Sequence, residues 1–180
     1  MPRLFVAIDL PDAIKQQLLD LQTHIPTARW AKSEQMHLTL RFIGEVADEQ
    51  VESIKSSLAT VTASPFDLTL RHVGHFPPGR RALPRVLWVG MDQQPALNDL
   101  HQQIESALSQ LDFKPDNKLF SPHITLARLK LNRPARQVDH FLSKHEQFNA
   151  GTFTATEYRL YSSLLMPQGA VYTVERSFQF

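Results

Sequence analysis

Two short stretches of this chain share one pattern, His37-Leu38-Thr39-Leu40 and His123-Ile124-Thr125-Leu126. Each lies in a run of β-forming residues, and a strand sends alternate side chains to opposite faces. His37 and Thr39 therefore share one face, with Leu38 and Leu40 on the other. His123 and Thr125 stand in the same relation to Ile124 and Leu126. The aliphatic residues belong in a core, which leaves each His-Thr pair on the opposite side. If the two faces line one cleft, two imidazoles and two hydroxyls converge from opposite walls. That set suits hydrolysis of a cyclic phosphodiester, in which attacking water and departing oxygen stand roughly in line across phosphorus. With an ordinary imidazole pKa of about 6.5, one histidine can accept the proton of water while the other supplies one to the leaving oxygen. Threonine hydroxyls can donate to the non-bridging oxygens, where charge must be held in the transition state. The scheme requires no metal and no cofactor.

One His-x-Thr in a strand carries little weight; two copies at matching places carry much more. The other histidines, His24, His72, His75, His101, His140 and His145, lack such company. His101, on a predicted helix, and His140 and His145, near a helix end, read as solvated surface residues. A zinc site is disfavoured, because two lone histidines with no cysteine and no His-Glu spacing form no recognisable ligand set.

The elements that must position the two motifs are written twice along the chain. Leu4 to Ile8 is a short apolar strand. Pro11-Asp12 opens a helix with Ile14, Leu18, Leu21 and Ile25 on one stripe. His37 to Ile43 is a strand closed by Gly44, a helix beginning at Asp48 carries Val51, Ile54 and Leu58, and Phe66 to Val73 alternates as a strand. The stretch from His75 to Pro84, with Pro77-Pro78-Gly79, is a loop or hairpin tip. The order then restarts. Val86 to Val89 is a strand, and Pro95 opens a helix with Leu97, Leu100, Ile104 and Leu108. His123 to Leu129 is a strand, Ala135 to His145 a helix, and Phe153 to Tyr161 and Ala170 to Phe180 are strands. The expected fold is α+β and two-lobed, a single domain of duplicated β-α-β-α-β halves at residues 1–76 and 84–180, joined by a loop at 77–83. The motif histidines occupy the middle strand of each half, 33 residues after Leu4 and 37 after Val86.

The bulk properties agree with one packed domain. The chain has 180 residues, 42% of them hydrophobic, with eleven Phe and two Trp for a core. A net charge of +1 excludes a polybasic nucleic-acid coat, so any RNA contact should be small and local. Absence of cysteine removes disulfides, thiolate metal sites and cysteine nucleophiles. The apolar N-terminal run is broken by Asp9 and Pro11, is too short to span a membrane and lacks a signal-cleavage pattern. A soluble, cytoplasmic monomer with no membrane partner is expected.

The motifs and their flanks resemble the 2H phosphoesterases, and more closely the bacterial RNA 2′,3′-cyclic phosphodiesterases, also called 2′-5′ RNA ligases. The matching residues are Arg3-Leu4-Phe5-Val6-Ala7-Ile8, His37 through Val46, Pro122 through Arg128, and the strand ending in Tyr161-Ser162-Ser163. The resemblance implies a bilobal fold with mostly antiparallel sheets about a cleft. It implies metal-free opening of an RNA 2′,3′-cyclic phosphate to a 2′-phosphate end, with His37, Thr39, His123 and Thr125 as the catalytic set. It also implies reversible joining of RNA ends by the same chemistry.

Arg128 matches an arginine of that family and is expected near the phosphate or against a base. Strict alternation from His123 would turn it away from the cleft, and Phe42 stands in the same relation to His37. Either the strands bulge or these side chains curl round the rim. So placed, an arginine plane and a phenyl ring could sandwich a terminal base without reading sequence; the alternative for Phe42 is the core. Arg41 shares the parity of His37 and could reach phosphate, whereas Phe5 reads as core. Arg80, Arg81 and Arg85 form a dense basic patch that is either plain solvated surface or a grip on upstream phosphates. Three rival readings stand beside hydrolysis of RNA ends: a ligase working in the joining direction, a phosphodiesterase for a small cyclic nucleotide, and a silent RNA-end-binding module.

Overall fold

The computed structural model describes residues 1–79, 82–116, 118–167 and 169–180, so the predicted basic pair Arg80 and Arg81 lies outside the described residues. Among the described residues the chain runs β1 (Arg3–Asp9), α1 (Asp12–Leu19), β2 (Arg29–Trp30), β3 (His37–Glu45), α2 (Val51–Leu58), β4 (Phe66–Phe76), β5 (Val86–Met91), α3 (Pro95–Ser109), β6 (Ile124–Arg128), α4 (Arg136–Lys144), β7 (Asn149–Ala155), β8 (Glu157–Met166) and β9 (Gly169–Gln179). The strands form an antiparallel sheet in the order β7-β4-β5-β6-β3-β1-β8-β9, with β2 on β6. This is the α+β class expected from the sequence. None of the helices among the described residues is long and apolar enough to cross a membrane.

The two motif strands meet at the centre of the sheet. In the described residues β3 and β6 pair at one position, Leu38 with Ile124, and part beyond it. β2 takes up the other end of β6, with Arg29 opposite Arg128 and Trp30 opposite Ala127. The divergence opens a cleft and splits the sheet into two lobes, β3-β1-β8-β9 and β6-β5-β4-β7.

The lobes are not the sequence halves. β4, from the first half, lies between β5 and β7, while β8 and β9, from the second, extend β1. The segment 77–83 therefore joins two neighbouring strands of one lobe. By position, β4 on β5 answers to β8 on β1, so the counterpart of the Phe66 strand is β8 and not the run at Phe153. The expected single strand from Phe153 to Tyr161 is in fact two, broken at Thr156. There the chain leaves one lobe for the other. Period-two alternation marks a strand but says nothing about which neighbour it bonds.

The core lies between the sheet and its helices. Leu18 and Ile54 are fully buried, as are Leu100 and Val138 from the later helices. The stripe expected to continue as helix to Ile25 stops at Leu19, yet Leu21 and Ile25 remain buried from turns, because apolar spacing records burial rather than hydrogen bonding. β1 is covered on both faces. Leu4, Val6 and Ile8 enter the main core, and Phe5 and Ala7 form a second apolar cluster with Tyr161, flanked by Tyr172.

Candidate active site

Two β-bulges arrange the cleft. On β3, Ala7 of β1 pairs with Thr39 and the next residue, Val6, pairs with Arg41, so Leu40 is the extra residue. On β6, Trp88 pairs with Thr125 and Leu87 with Ala127, so Leu126 is the extra one. Leu40 and Leu126 hold equivalent places, each directly after the motif threonine. A bulge admits two consecutive residues to one face and inverts the parity beyond it. Leu40 and Arg41 are both buried, as are Leu126 and Ala127, and Phe42 and Arg128 emerge on the cleft side. The conflict between strict alternation and a cleft position for these two residues is resolved by the bulges.

The cleft has a volume of about 500 Å³ and is lined by both His-Thr pairs, His37 with Thr39 and His123 with Thr125, together with Phe42 and Arg128. Its other walls include Arg3, Arg29, Trp30 and Tyr172. Among the described residues the charged side chains of the lining are all arginines, Arg3, Arg29 and Arg128. Such a lining favours an anion.

The histidine rings are held in parallel fashion. Nδ1 of His123 lies 2.7 Å from the Ser121 carbonyl, and His37 bonds to the backbone of Gln35. Each anchor is two residues upstream of its histidine. A carbonyl accepts, so Nδ1 of His123 carries the proton in the neutral ring and leaves Nε2 as its free basic site.

Their surroundings differ. The His37 ring stacks on Phe5 at a centroid distance of 4.8 Å and meets the edge of Tyr172 at 5.2 Å. Phe5 in turn stacks on Tyr161 at 5.1 Å. Burial in this pile pushes the His37 pKa down from 6.5 to about 4. The nearby Asp9 carboxylate opposes the shift, but it is already bound by Lys15 at 2.7 Å and Arg159 at 2.9 Å. The charge of His123 also lowers His37, which puts the two imidazoles within electrostatic reach. His123, against the edge of Phe76 at 4.9 Å, is lowered by burial and by Arg128, while the Ser121 carbonyl holds it up.

A stability effect follows. The unfolded chain protonates His37 near pH 6.5, but the folded chain keeps it neutral down to about 4, so stability falls as pH drops through that window. The loss is at most about 3 kcal/mol. Unfolding free energies of wild type and His37→Asn, measured by denaturant at neutral pH and at pH about 4, should shift in the variant's favour by up to that amount. A constant difference would contradict a buried neutral ring.

Arg41 does not reach the cleft. The bulge at Leu40 turns it inward, where it is 9% exposed. Its Nε lies 2.8 Å from Glu105 of α3, and its guanidinium donates to the Lys114 carbonyl. The expectation that Arg41 contacts phosphate is therefore corrected. His101 is likewise not free surface: its ring stacks on Phe120 at 4.0 Å, with Nε2 3.7 Å from Glu105. Phe5, expected as core, is buried but belongs to the cleft pile. Sequence reasoning missed Arg29 and Trp30, on a strand too short to show a pattern, and Tyr172, hidden in the ordinary alternation of β9. Arg85 turns back to donate to the Leu131 carbonyl.

Comparison with known proteins converges on one group. The family model described as "LigT like Phosphoesterase" matches the chain twice, over residues 8–88 and 89–172. The chain is 33% identical to the RNA 2′,3′-cyclic phosphodiesterase of Archaeoglobus fulgidus, with 98% of this chain and 99% of that protein covered. It is 32% identical to the protein of the same name from Thermotoga maritima, covering 99% and 95%. The crystal structure of E. coli LigT complexed with 3′-AMP superposes with a TM-score of 0.81 at 30% identity, covering 100% of this chain and 99% of that one. A cleft between two antiparallel lobes, a double match to one family model and full-length identity to these enzymes have one explanation: the chain belongs to the LigT-like phosphoesterase family, within the 2H phosphoesterases.

Proposed function

We propose that the protein hydrolyses the 2′,3′-cyclic phosphate at the end of an RNA to a 2′-phosphate, without a metal ion. The observation that carries this reading is the convergence of His37, Thr39, His123 and Thr125 on one arginine-lined cleft. The names of the relatives, and the 3′-AMP complex of E. coli LigT, support a nucleotide-shaped ligand. His37 is the base. Its depressed pKa leaves it neutral near pH 7, ready to take a proton from water as oxygen attacks phosphorus. The P–O3′ bond breaks in line, and His123 delivers a proton from Nε2 to the departing O3′. The hydroxyls of Thr39 and Thr125 donate to the non-bridging oxygens, and Arg128 offsets the charge gathering there. Phe42, 61% exposed at the rim, stacks against the terminal base.

The pH dependence follows from the same assignment. For kcat/KM the base must be unprotonated, so rate is lost as pH falls through about 4. The acid must be protonated, so rate declines tenfold per pH unit above the lowered pKa of His123, which lies below 6.5. The profile is a bell with its optimum on the acid side of neutrality. A short RNA bearing a 2′,3′-cyclic phosphate, incubated in excess EDTA and sampled across pH, tests both points. Release of a 2′-phosphate end with an acid-shifted bell supports the reading. An inert enzyme, activity that EDTA abolishes, or a profile flat to alkaline pH overturns it, and joining to an added 5′-hydroxyl end in place of hydrolysis marks a ligase.

A further inference from the structure

The net charge of +1 conceals a strong segregation of charge. From Ile124 to Val138 the sequence holds Arg128, Lys130, Arg133 and Arg136 and no acidic residue. Residues 21–33 hold Arg29 and Lys32 and again no acidic residue. The fold brings the two segments together: Arg29 pairs with Arg128, and the Thr27 hydroxyl accepts from the Lys130 backbone amide. Alternation continues past the end of β6 as far as Leu131, with Leu129 and Leu131 buried and Arg128 and Lys130 exposed; Arg133, in the bend that follows, and Arg136, at the start of α4, are exposed as well. In extended chain, Arg128 and Lys130 therefore stand about 7 Å apart on one side. Among the described residues, none of Arg29, Arg128, Lys130, Arg133 and Arg136 has a carboxylate within ion-pair distance. The track has a defined origin. Arg29 and Arg128 line the cleft, and the charge of Arg128 reaches His123 and Tyr172 inside it.

We propose that Lys130, Arg133 and Arg136 form a track that leads out of the cleft and holds the phosphodiester backbone of the RNA upstream of its cyclic end. Exposed cations that have no carboxylate partner among the described residues suit a polyanion that enters by its terminus, and those beyond Arg128 serve a strand more than a mononucleotide seated at the histidines. The substrate class is thus an RNA strand several nucleotides long rather than a free cyclic nucleotide. This inference rests on the proposed hydrolysis for its location, but it can be tested apart from it.

The test compares wild type with the triple variant Lys130→Glu, Arg133→Glu, Arg136→Glu on two substrates, a decanucleotide with a 2′,3′-cyclic phosphate and adenosine 2′,3′-cyclic phosphate. Three backbone contacts to a single strand contribute a log-log salt slope of about −2, or about 100-fold at 0.1 M salt. The variant should lose about 100-fold in kcat/KM on the decanucleotide, and stay within twofold on the mononucleotide. Equal loss on both substrates, or none on the decanucleotide, overturns the track. Binding of a labelled decanucleotide with a 2′-phosphate end is measured in parallel by anisotropy. If wild type hydrolyses neither substrate, the catalytic reading fails, while a salt slope that flattens in the variant still upholds the track. Identical binding by both proteins removes RNA as its partner and leaves an acidic protein surface.

Discussion

His37→Asn and His123→Asn should each lower kcat/KM on a cyclic-phosphate RNA by about 1000-fold, within the range of about 100- to 10 000-fold attributed to a positioned acid or base. The double variant should fall no more than about tenfold further, because groups that act in one step are not additive. The residual rate would come from hydroxyls and guanidinium that steady the phosphate. Thr39→Val and Thr125→Val should accordingly cost about 10- to 100-fold each, the worth of a hydrogen bond to a charged oxygen. The two histidine variants should also differ. His123→Asn removes the alkaline limb of any remaining pH profile and His37→Asn the acid limb, since burial makes His37 the group that stays neutral in acid. Single-turnover rates, with folding checked by circular dichroism, would decide the matter. A variant of either residue that keeps more than about a tenth of wild-type activity is incompatible with two-histidine catalysis.

Arg41→Ala should damage stability far more than substrate affinity. Arg41 and Glu105 are 9% and 17% exposed as side chains, and removal of one partner leaves the other charge unpaired and poorly solvated. For a pair that keeps some contact with water, the cost is about 2–4 kcal/mol, or a Tm lower by about 5–15 °C in a chain of this length. The Lys114 carbonyl loses its donor as well. Arg41→Met with Glu105→Leu, which replaces both charges by apolar volume, should recover most of the loss. KM for the cyclic-phosphate end should change less than threefold in molecules that remain folded, since a hydrogen bond to the phosphate would be worth about tenfold or more. A stable Arg41→Ala protein with a large rise in KM would return this residue to the phosphate.

Much of the site was legible before the fold. Hydrophobic residues at Leu38, Leu40, Ile124 and Leu126 had to face a core, and that alone turned His37, Thr39, His123 and Thr125 the other way. The helical stripes of α2 and α3 were readable for the same reason, as were Pro11 and Pro95 at helix starts. Burial imposes a period, and the period survives in one dimension. What did not survive is anything that depends on a neighbour in space. The exchange of β4 and β8 between lobes is a matter of which backbone edges hydrogen-bond, and edges carry no side-chain signature.

The fate of Arg41, Phe42 and Arg128 shows the same division within one strand. The family resemblance pointed to Arg128 as a substrate grip, Phe42 stood between the rim and the core, and strict alternation assigned Arg41 to the cleft in their place. The residue inserted directly after each motif threonine, Leu40 on β3 and Leu126 on β6, inverted the outcome. A bulge is defined by two residues facing one partner, so it exists only once the partner strand is in place. Electrostatics followed packing in turn. An isolated histidine titrates near 6.5, and burial against Phe5, Tyr161 and Tyr172 is the largest of the causes that move His37 to about 4 and make the two imidazoles unequal. The sequence by itself determined which groups were available for chemistry, because side-chain type and alternation are local properties. Which of them meet, which face the cleft and which imidazole stays neutral were decided by tertiary structure, because bulges, strand partners and desolvation arise from chain segments far apart in sequence.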